Sequence, residues 1–321
     1  MKPQRSANGT APRQSRFLEF LTRLVKEKPL GAFGGAITLL MLFTGVFADL
    51  LAPYGMNELH MAHTLEPPSA AFLLGTDNLG RDMLSRVIYG ARISMIVGLG
   101  GAAVSVGIGT VVGMVSGYIG RTFDLILQRF VDTVMSLPLL PIMLTIADLA
   151  GPGMLTLIVS LGVLTGVAGS RNMRGIILSY KENVYIQAAV AVGCPFRKVL
   201  TRHLLPNVMP FIITGYAVVL PGVIISEAAL SFLGFGVPPP APSWGGMLSG
   251  PGRDNMFLAP WMAIWPGLAL SVAVYGISMF GDAVRDLLDP RLKGGVGSFR
   301  MMSDRKGATV RATEDEQVRS I

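Results

Sequence analysis

The chain has 321 residues and a formal net charge of +7; 51% of its residues are hydrophobic and only 15% are charged. A soluble domain of this length carries about 25% charged residues, so most of this chain belongs in lipid. Its Lys and Arg gather at both ends and in one internal island, as membrane flanks do, which sets aside nucleic-acid binding as the reason for the positive charge.

Residues 1–28 form an N-terminal tail and an interfacial helix. From Arg16 to Lys26, Phe17, Phe20, Leu21 and Leu24 share one helical face, with Glu19, Arg23 and Lys26 elsewhere. Residues 1–14 lack apolar periodicity and read as a mobile tail, as do residues 294–321 within a terminal unit over 291–321. A first span occupies 29–52, around the charge-free run from Pro29 to Ala48. That run is long enough to cross a bilayer and lies too far into the chain for a cleaved leader, so it is expected to be retained.

Residues 53–91 form an extracytoplasmic segment. Asp77, Arg81, Asp82 and Arg86 there either pair with one another or meet a partner. His60, Met61 and His63 have loose metal-ligand character, but two imidazoles three apart without a further ligand read as a surface loop, and no metal site is assigned.

Residues 92–290 hold five more spans, marked by charge-free runs Ile93–Gly120, Thr133–Ala147, Leu149–Ser170, His203–Ser226 and Asn255–Gly281. Most exceed the roughly 20 residues a helix needs to cross about 30 Å of hydrocarbon. The third is short and borrows the turn around Phe130 and Val131, leaving Asp132 inside or at the edge of the membrane with Arg129 as a pairing partner on the same face. Pro138 and Pro141 are expected to kink it. Glycines from Gly98 onward and from Gly107 onward allow close helix approach in the second span. Glu227 interrupts the fifth apolar region, where an ionised group costs about 2.5–3.5 kcal/mol, so it faces protein or water. It is either a pathway or gate residue or a helix-end partner for a basic group such as Arg253. Asp282 and Arg285 read as an ion pair at the end of the sixth span, and residues 234–252 as an irregular loop with Trp244 as an interfacial anchor. Basic residues before the first span and between the fourth and fifth place both termini in the cytoplasm, in agreement with six spans.

The island, residues 180–207, separates the fourth and fifth spans. Tyr180–Val192 reads as one helix and Pro195–Leu205 as a second, with Pro206 ending what precedes it and Gly193 as the hinge. Ala188 and Ala189 leave a shallow face that another protein can approach closely, and Gly193 can take the left-handed backbone of a tight turn. Arg197, Lys198 and Arg202 add charge for docking an acidic surface. Cys194, the single cysteine, has no disulfide partner in this chain.

Four stretches in order carry a resemblance. They are Leu74–Arg86 (LGTDNLGRDMLSR), the island, Ser226–Gly236 (SEAALSFLGFG) followed by Pro242–Gly245, and Gly281–Leu292 (GDAVRDLLDPRL). With them the chain resembles the dipeptide, oligopeptide and nickel permease family of ATP-binding-cassette importers, in particular its second permease subunit. The resemblance implies an all-α polytopic protein with six transmembrane helices and the type I importer permease fold, in a bacterial cytoplasmic membrane. It also implies a coupling loop carried by Gln187, Ala188, Ala189, Gly193, Arg197, Lys198, Arg202, Leu205 and Pro206. Its expected partners are a second permease subunit, two ATPase subunits that use ATP and magnesium, an extracytoplasmic solute-binding protein that could contact Asp77, Arg81, Asp82 and Arg86, and membrane lipid. The family usually has Glu immediately before the alanine pair, where this chain has Gln187, which keeps a hydrogen-bonding side chain but loses a charge. His203 opens a His-Leu-Leu-Pro-Asn ending common in the peptide branch.

The implied solute is a peptide, with nickel or another small solute as the alternative. No Gly-Lys-Ser or Gly-Lys-Thr occurs in the chain, so a Walker-type phosphate loop is not expected, nor any cofactor bound by this subunit. An ion-driven secondary transporter would show inverted halves and leave the island unexplained. A membrane-embedded enzyme would need a catalytic set within the spans, and the three histidines, at 60, 63 and 203, do not supply one.

Overall fold

The computed structural model describes residues 16–288; both expected terminal tails lie outside them, as does the end of the fourth stretch. The described residues form helices and loops, apart from one bridge between Thr76 and Asp82. In chain order the helices are α1 (Arg16–Glu27), α2 (Pro29–Val46), α3 (Ala48–Leu51), α4 (Met83–Ile119), α5 (Arg121–Ser136), α6 (Leu139–Ala150), α7 (Met154–Lys181), α8 (Val184–Ala191), α9 (Phe196–Lys198), α10 (Leu205–Phe232), α11 (Trp244–Leu248), α12 (Pro251–Asp254) and α13 (Trp261–Leu288). A π-helical turn, Val199–Leu204, joins α9 to α10.

Five helical stretches are long and apolar enough to cross a membrane: α2, α4, α7, the continuous run from Phe196 to Phe232, and α13. A sixth span exists only as the pair α5 and α6, which meet at 88°. The expected single kinked span is therefore two helices. Pro138 disfavours helical backbone at the residue before it, and Leu137 is extended, with φ −86° and ψ 135°.

Helix limits also depart from the charge-free runs. α4 begins at Met83 rather than near Ile93 because Asp82 caps it, its carboxylate accepting from the Ser85 backbone N–H at 2.8 Å and from the Ser85 hydroxyl at 2.7 Å. Arg86 and Arg92 consequently lie inside a helix. α7 runs on to Lys181 and α13 to Leu288, because charged side chains at a helix end do not stop a helix.

α4 is the central post of the bundle. Gly109, Gly113 and Gly117 form one stripe along it, laid directly on the α7 backbone: a Cβ on Gly113 would come within 2.6 Å of the Ser170 carbonyl oxygen, and one on Gly117 within 3.0 Å of that of Arg174. Gly101 instead makes room for a side chain, since a Cβ there would come within 2.8 Å of Val223 Cγ1 of α10. Gly107 faces open space. The two positions make a matched test by thermal melting of the purified protein: Gly113→Val is expected to cost about 3 kcal/mol through overpacking, while Gly107→Ala is expected to be neutral or to gain up to about 1 kcal/mol through helix propensity.

The helix expected before the first span is present as α1. Phe20 and Leu24 pack on Ala283 and Leu287 of α13, whereas Leu18 and Val25 are exposed. Lys28 reaches Asp286 at 2.5 Å. Asp282 and Arg285 are exposed and do not pair with each other, contrary to expectation; the acidic residue at this helix end that does pair is Asp286, with Lys28.

The described residues have two functional ends. One carries α8 and α9 and is called the hairpin end. The other carries residues 53–82 and 233–260, covers the start of α4 and the end of α10, and is called the cap end.

Candidate functional site

The hairpin end is built around a core of Met114, Met173, Ile177, Ile186, Val199, Leu200, Leu204 and Val208. Ile186 of α8 is 1% exposed and seats this short helix on α4, α7 and the π turn. The chain breaks at Glu182 and Asn183, so the first hairpin helix starts at Val184 and not at Tyr180. Gln187 closes that break, its amide donating to the Glu182 carbonyl at 3.2 Å. A glutamate carboxylate could not make this bond, so the departure from the family pattern has a local use here.

Gly193 ends α8 as expected of the hinge. Its φ is +76°, its N–H donates to Val190 O at 2.9 Å, and the Cys194 N–H donates to Ala189 O at 3.0 Å. Those two bonds define a Schellman C-cap, with glycine in its left-handed position. The same pair of bonds ends α10 at Gly234.

The second hairpin helix does not stop at Pro206. It passes through Pro206 into α10, widened to a π turn over Val199–Leu204. Proline lacks the N–H that the Arg202 carbonyl would accept and its ring crowds that carbonyl, which the wider turn relieves. Asn207 then donates its side-chain amide to His203 O at 2.6 Å. The consequence is mechanical: the tip of the hairpin and a transmembrane helix are one rod.

What the hairpin exposes is unlike a water-facing surface. Val184 and Val192 are more than four-fifths exposed, Tyr185 and Val190 about half, and Gln187 and Ala188 are open between them. Arg197, Lys198 and Arg202 are exposed on the other limb, and Pro206 beside its root. Ala189 is half-buried, and Leu205 packs against the core rather than presenting itself.

Two braces hold the hairpin's footing. Arg174 of α7 donates to Asp124 of α5 from Nε at 2.6 Å and from Nη2 at 2.5 Å, and the Ser116 hydroxyl donates to the same carboxylate at 2.5 Å. Lys181 donates to Tyr118 O at 2.6 Å, and the Tyr118 ring lies 5.3 Å from that of Phe196 at the start of α9. Asp132 bonds chiefly to Arg171 on α7, its expected partner Arg129 standing off at 3.9 Å.

At the cap end Glu227 is completely buried. Its carboxylate accepts from Ser231 at 2.7 Å and from Ser94 of α4 at 3.4 Å, and the Ser94 hydroxyl in turn accepts the Trp244 N–H at 3.3 Å. Arg253 is not its partner; that guanidinium lies 3.5 Å from Asp254. Trp244 is 1% exposed with its indole N–H on Val87 O at 3.0 Å, so it pins the cap to α4 instead of anchoring it in the interface. A tryptophan carries both an apolar face and a donor, and here the protein interior satisfies both.

The charge set in the 77–86 segment pairs internally. Asp77 accepts from the backbone of Leu79 and Arg81 and from Arg81 Nε at 2.6 Å, with Arg86 Nε at 3.6 Å. Asp77 and Asp82 are buried, so the acidic half of the set faces inward. Nearby, Arg92 Nη2 donates to Asp49 Oδ2 at 2.8 Å. His63 bonds Glu66 at 2.5 Å, and no cluster of His, Cys, Asp and Glu able to hold a metal occurs among the described residues.

A bundle of apolar spanning helices, one of them continuous with a hairpin that exposes apolar and basic side chains, is the architecture of a membrane permease subunit. The sequence pattern of the family described as binding-protein-dependent transport system inner membrane component matches residues 109–294, more than half of the chain, and the chain belongs to that family. It is 40% identical to a probable peptide ABC transporter permease protein of Sinorhizobium fredii, over 85% of this chain and 93% of that one. It is 36% identical to the di/tripeptide transport system permease protein of Pseudomonas aeruginosa, over 82% and 89%. It is also 35% identical to the glutathione transport system permease protein of Pectobacterium atrosepticum, over 86% and 91%.

Proposed function

We propose that this chain is one of two permease subunits of a peptide importer in a bacterial cytoplasmic membrane, driven through α8 and α9 by separate ATPase subunits. The observation that carries this reading is the exposed apolar face of α8 on a hairpin seated by Ile186 and continuous with a spanning helix. Such a face has no reason to stand in water unless a partner covers it, and a stiff helical lever transmits a partner's movement where a flexible loop would absorb it. Gln187, Ala188 and the alanine face of α8 meet the ATPase; Arg197, Lys198 and Arg202 meet its acidic rim. ATP and magnesium are handled by that partner, and this subunit carries no catalytic residues.

The basic hairpin and both termini lie in the cytoplasm, so the cap end faces the extracytoplasmic solute-binding protein. Glu227 serves the gate by fixing the Ser243–Trp244 segment, not by lining the pathway. Relatives named for peptide and glutathione transport support a peptide-type solute; nickel has no ligand cluster among the described residues to favour it.

Co-expression with each ATPase subunit encoded beside the chain, followed by affinity purification, tests the reading. The wild-type chain is expected to retain an ATPase and to hydrolyse ATP faster when the solute-binding protein and solute are added. Purification without any ATPase would overturn it. Maleimide labelling of Cys194 in sealed cells, expected to fail from outside, checks the orientation.

A further inference from the structure

Beneath the cap lies a cavity of about 630 Å³, lined on one side by Asp77, Arg81 and Arg86 and roofed by residues from Ser231 to Gly252. Its walls are largely apolar, among them Val237, Pro240, Met247 and Met262. A recess of this size with apolar walls and a few convergent polar groups has the form of a small-molecule site. Its charge is unbalanced, because one carboxylate, Asp77, faces two guanidiniums.

The guanidiniums are also short of partners. Each offers five N–H donors in a planar fork. Arg81 uses Nε on Asp77 at 2.6 Å; Arg86 makes only a long contact from Nη1 to Met56 O at 3.5 Å and stands 3.6 Å from Asp77. Arg86 is 8% exposed, and the donors it leaves unused open on the cavity rather than on another protein group. A buried cation with unused donors on a cavity wall is costly unless something anionic arrives. Asp82 does not supply it: Oδ2 caps α4 through Ser85, Oδ1 is buried without a partner, and both guanidiniums pair with Asp77 instead.

We propose that this cavity is a carboxylate-binding site, taking the terminal carboxylate of a small solute against Arg81 and Arg86. A carboxylate matches the fork of a guanidinium with two parallel hydrogen bonds, and the apolar walls accommodate the carbon skeleton behind it. The inference rests on the importer reading for its biological setting, while the binding itself does not depend on that reading. An acidic side chain of the delivery protein carries the same group, but a recess that buries Asp77 and Arg86 fits a small ligand better than a docking face.

The test uses the permease complex in nanodiscs without the delivery protein, and trialanine as free acid or C-terminal amide, followed by equilibrium binding. The free acid is expected to bind at least tenfold more tightly than the amide. Arg86→Gln and Arg81→Gln are each expected to bring the acid down to the amide's affinity. Equal binding of acid and amide by the wild type, or binding of neither, overturns the proposal without recourse to any variant. If neither peptide binds and Arg86→Gln instead weakens capture of the delivery protein, the solute assignment falls and the cavity is a docking socket. Should the ATPases fail to assemble, the same titration on the permease chain alone still decides the cavity, so the two readings fail separately.

Discussion

Replacing Gly193 with proline is expected to abolish coupling while leaving the membrane bundle folded. Gly193 sits at φ +76° with nothing within 4 Å of where a Cβ would stand, so only backbone conformation restricts the position. Proline cannot leave φ near −65° and has no N–H to give Val190. Losing the left-handed turn and its hydrogen bond costs roughly 2–3 kcal/mol, which lowers the equilibrium constant for the closed hairpin about thirtyfold or more. Solute-stimulated ATP hydrolysis and uptake should fall by a comparable factor in proteoliposomes. Alanine at the same position adds no clash and should cost about 1–2 kcal/mol, giving an intermediate rate. The melting temperature should move little in either variant, since Gly193 touches none of the bundle's cores. A proline variant that transports at the wild-type rate would remove the hinge from the mechanism.

Much of this architecture is legible from charge-free runs and punctuation residues. The runs locate the spans because lipid excludes charge, and Gly193 announces its turn because few other residues tolerate that backbone. What stays hidden is long-range. Pro138 signals a kink, but the 88° angle between α5 and α6 depends on where each helix finds a packing surface. Pro206 reads locally as a stop, yet the core around Leu204 and Val208 holds the helix together and the backbone widens instead. Trp244 looks like an interface residue until Val87 O supplies its indole partner from more than 150 residues away. Arg81 and Arg86 are visible in the sequence as charges; that they share one aspartate over a cavity is a fact of three dimensions. One available clue lay in the spacing of Glu227 and Ser231, four residues apart on one helix face.

That pair leads to the largest expected effect on stability. Glu227 joins α10, α4 and the cap through Ser231, Ser94 and, by way of Ser94, the Trp244 backbone. Glu227→Ala empties a fully buried site and strands the hydroxyls that donated into it. Cavity formation and orphaned polar groups together are expected to cost about 3–5 kcal/mol. Glu227→Gln keeps the volume and an acceptor for Ser231, but it turns a second donor toward Ser94, so about 1 kcal/mol is expected from the one bond that is lost. Thermal unfolding in detergent should rank the three proteins wild type, Gln, Ala. Because the lost bonds all converge on the segment that holds Ser243 and Trp244, limited proteolysis should cut the alanine variant first between Leu233 and Leu258, before any cut in the hairpin. If the alanine variant melts with the wild type, or is cut first at the hairpin, then Glu227 does not hold the cap and its place in the gate is lost with it.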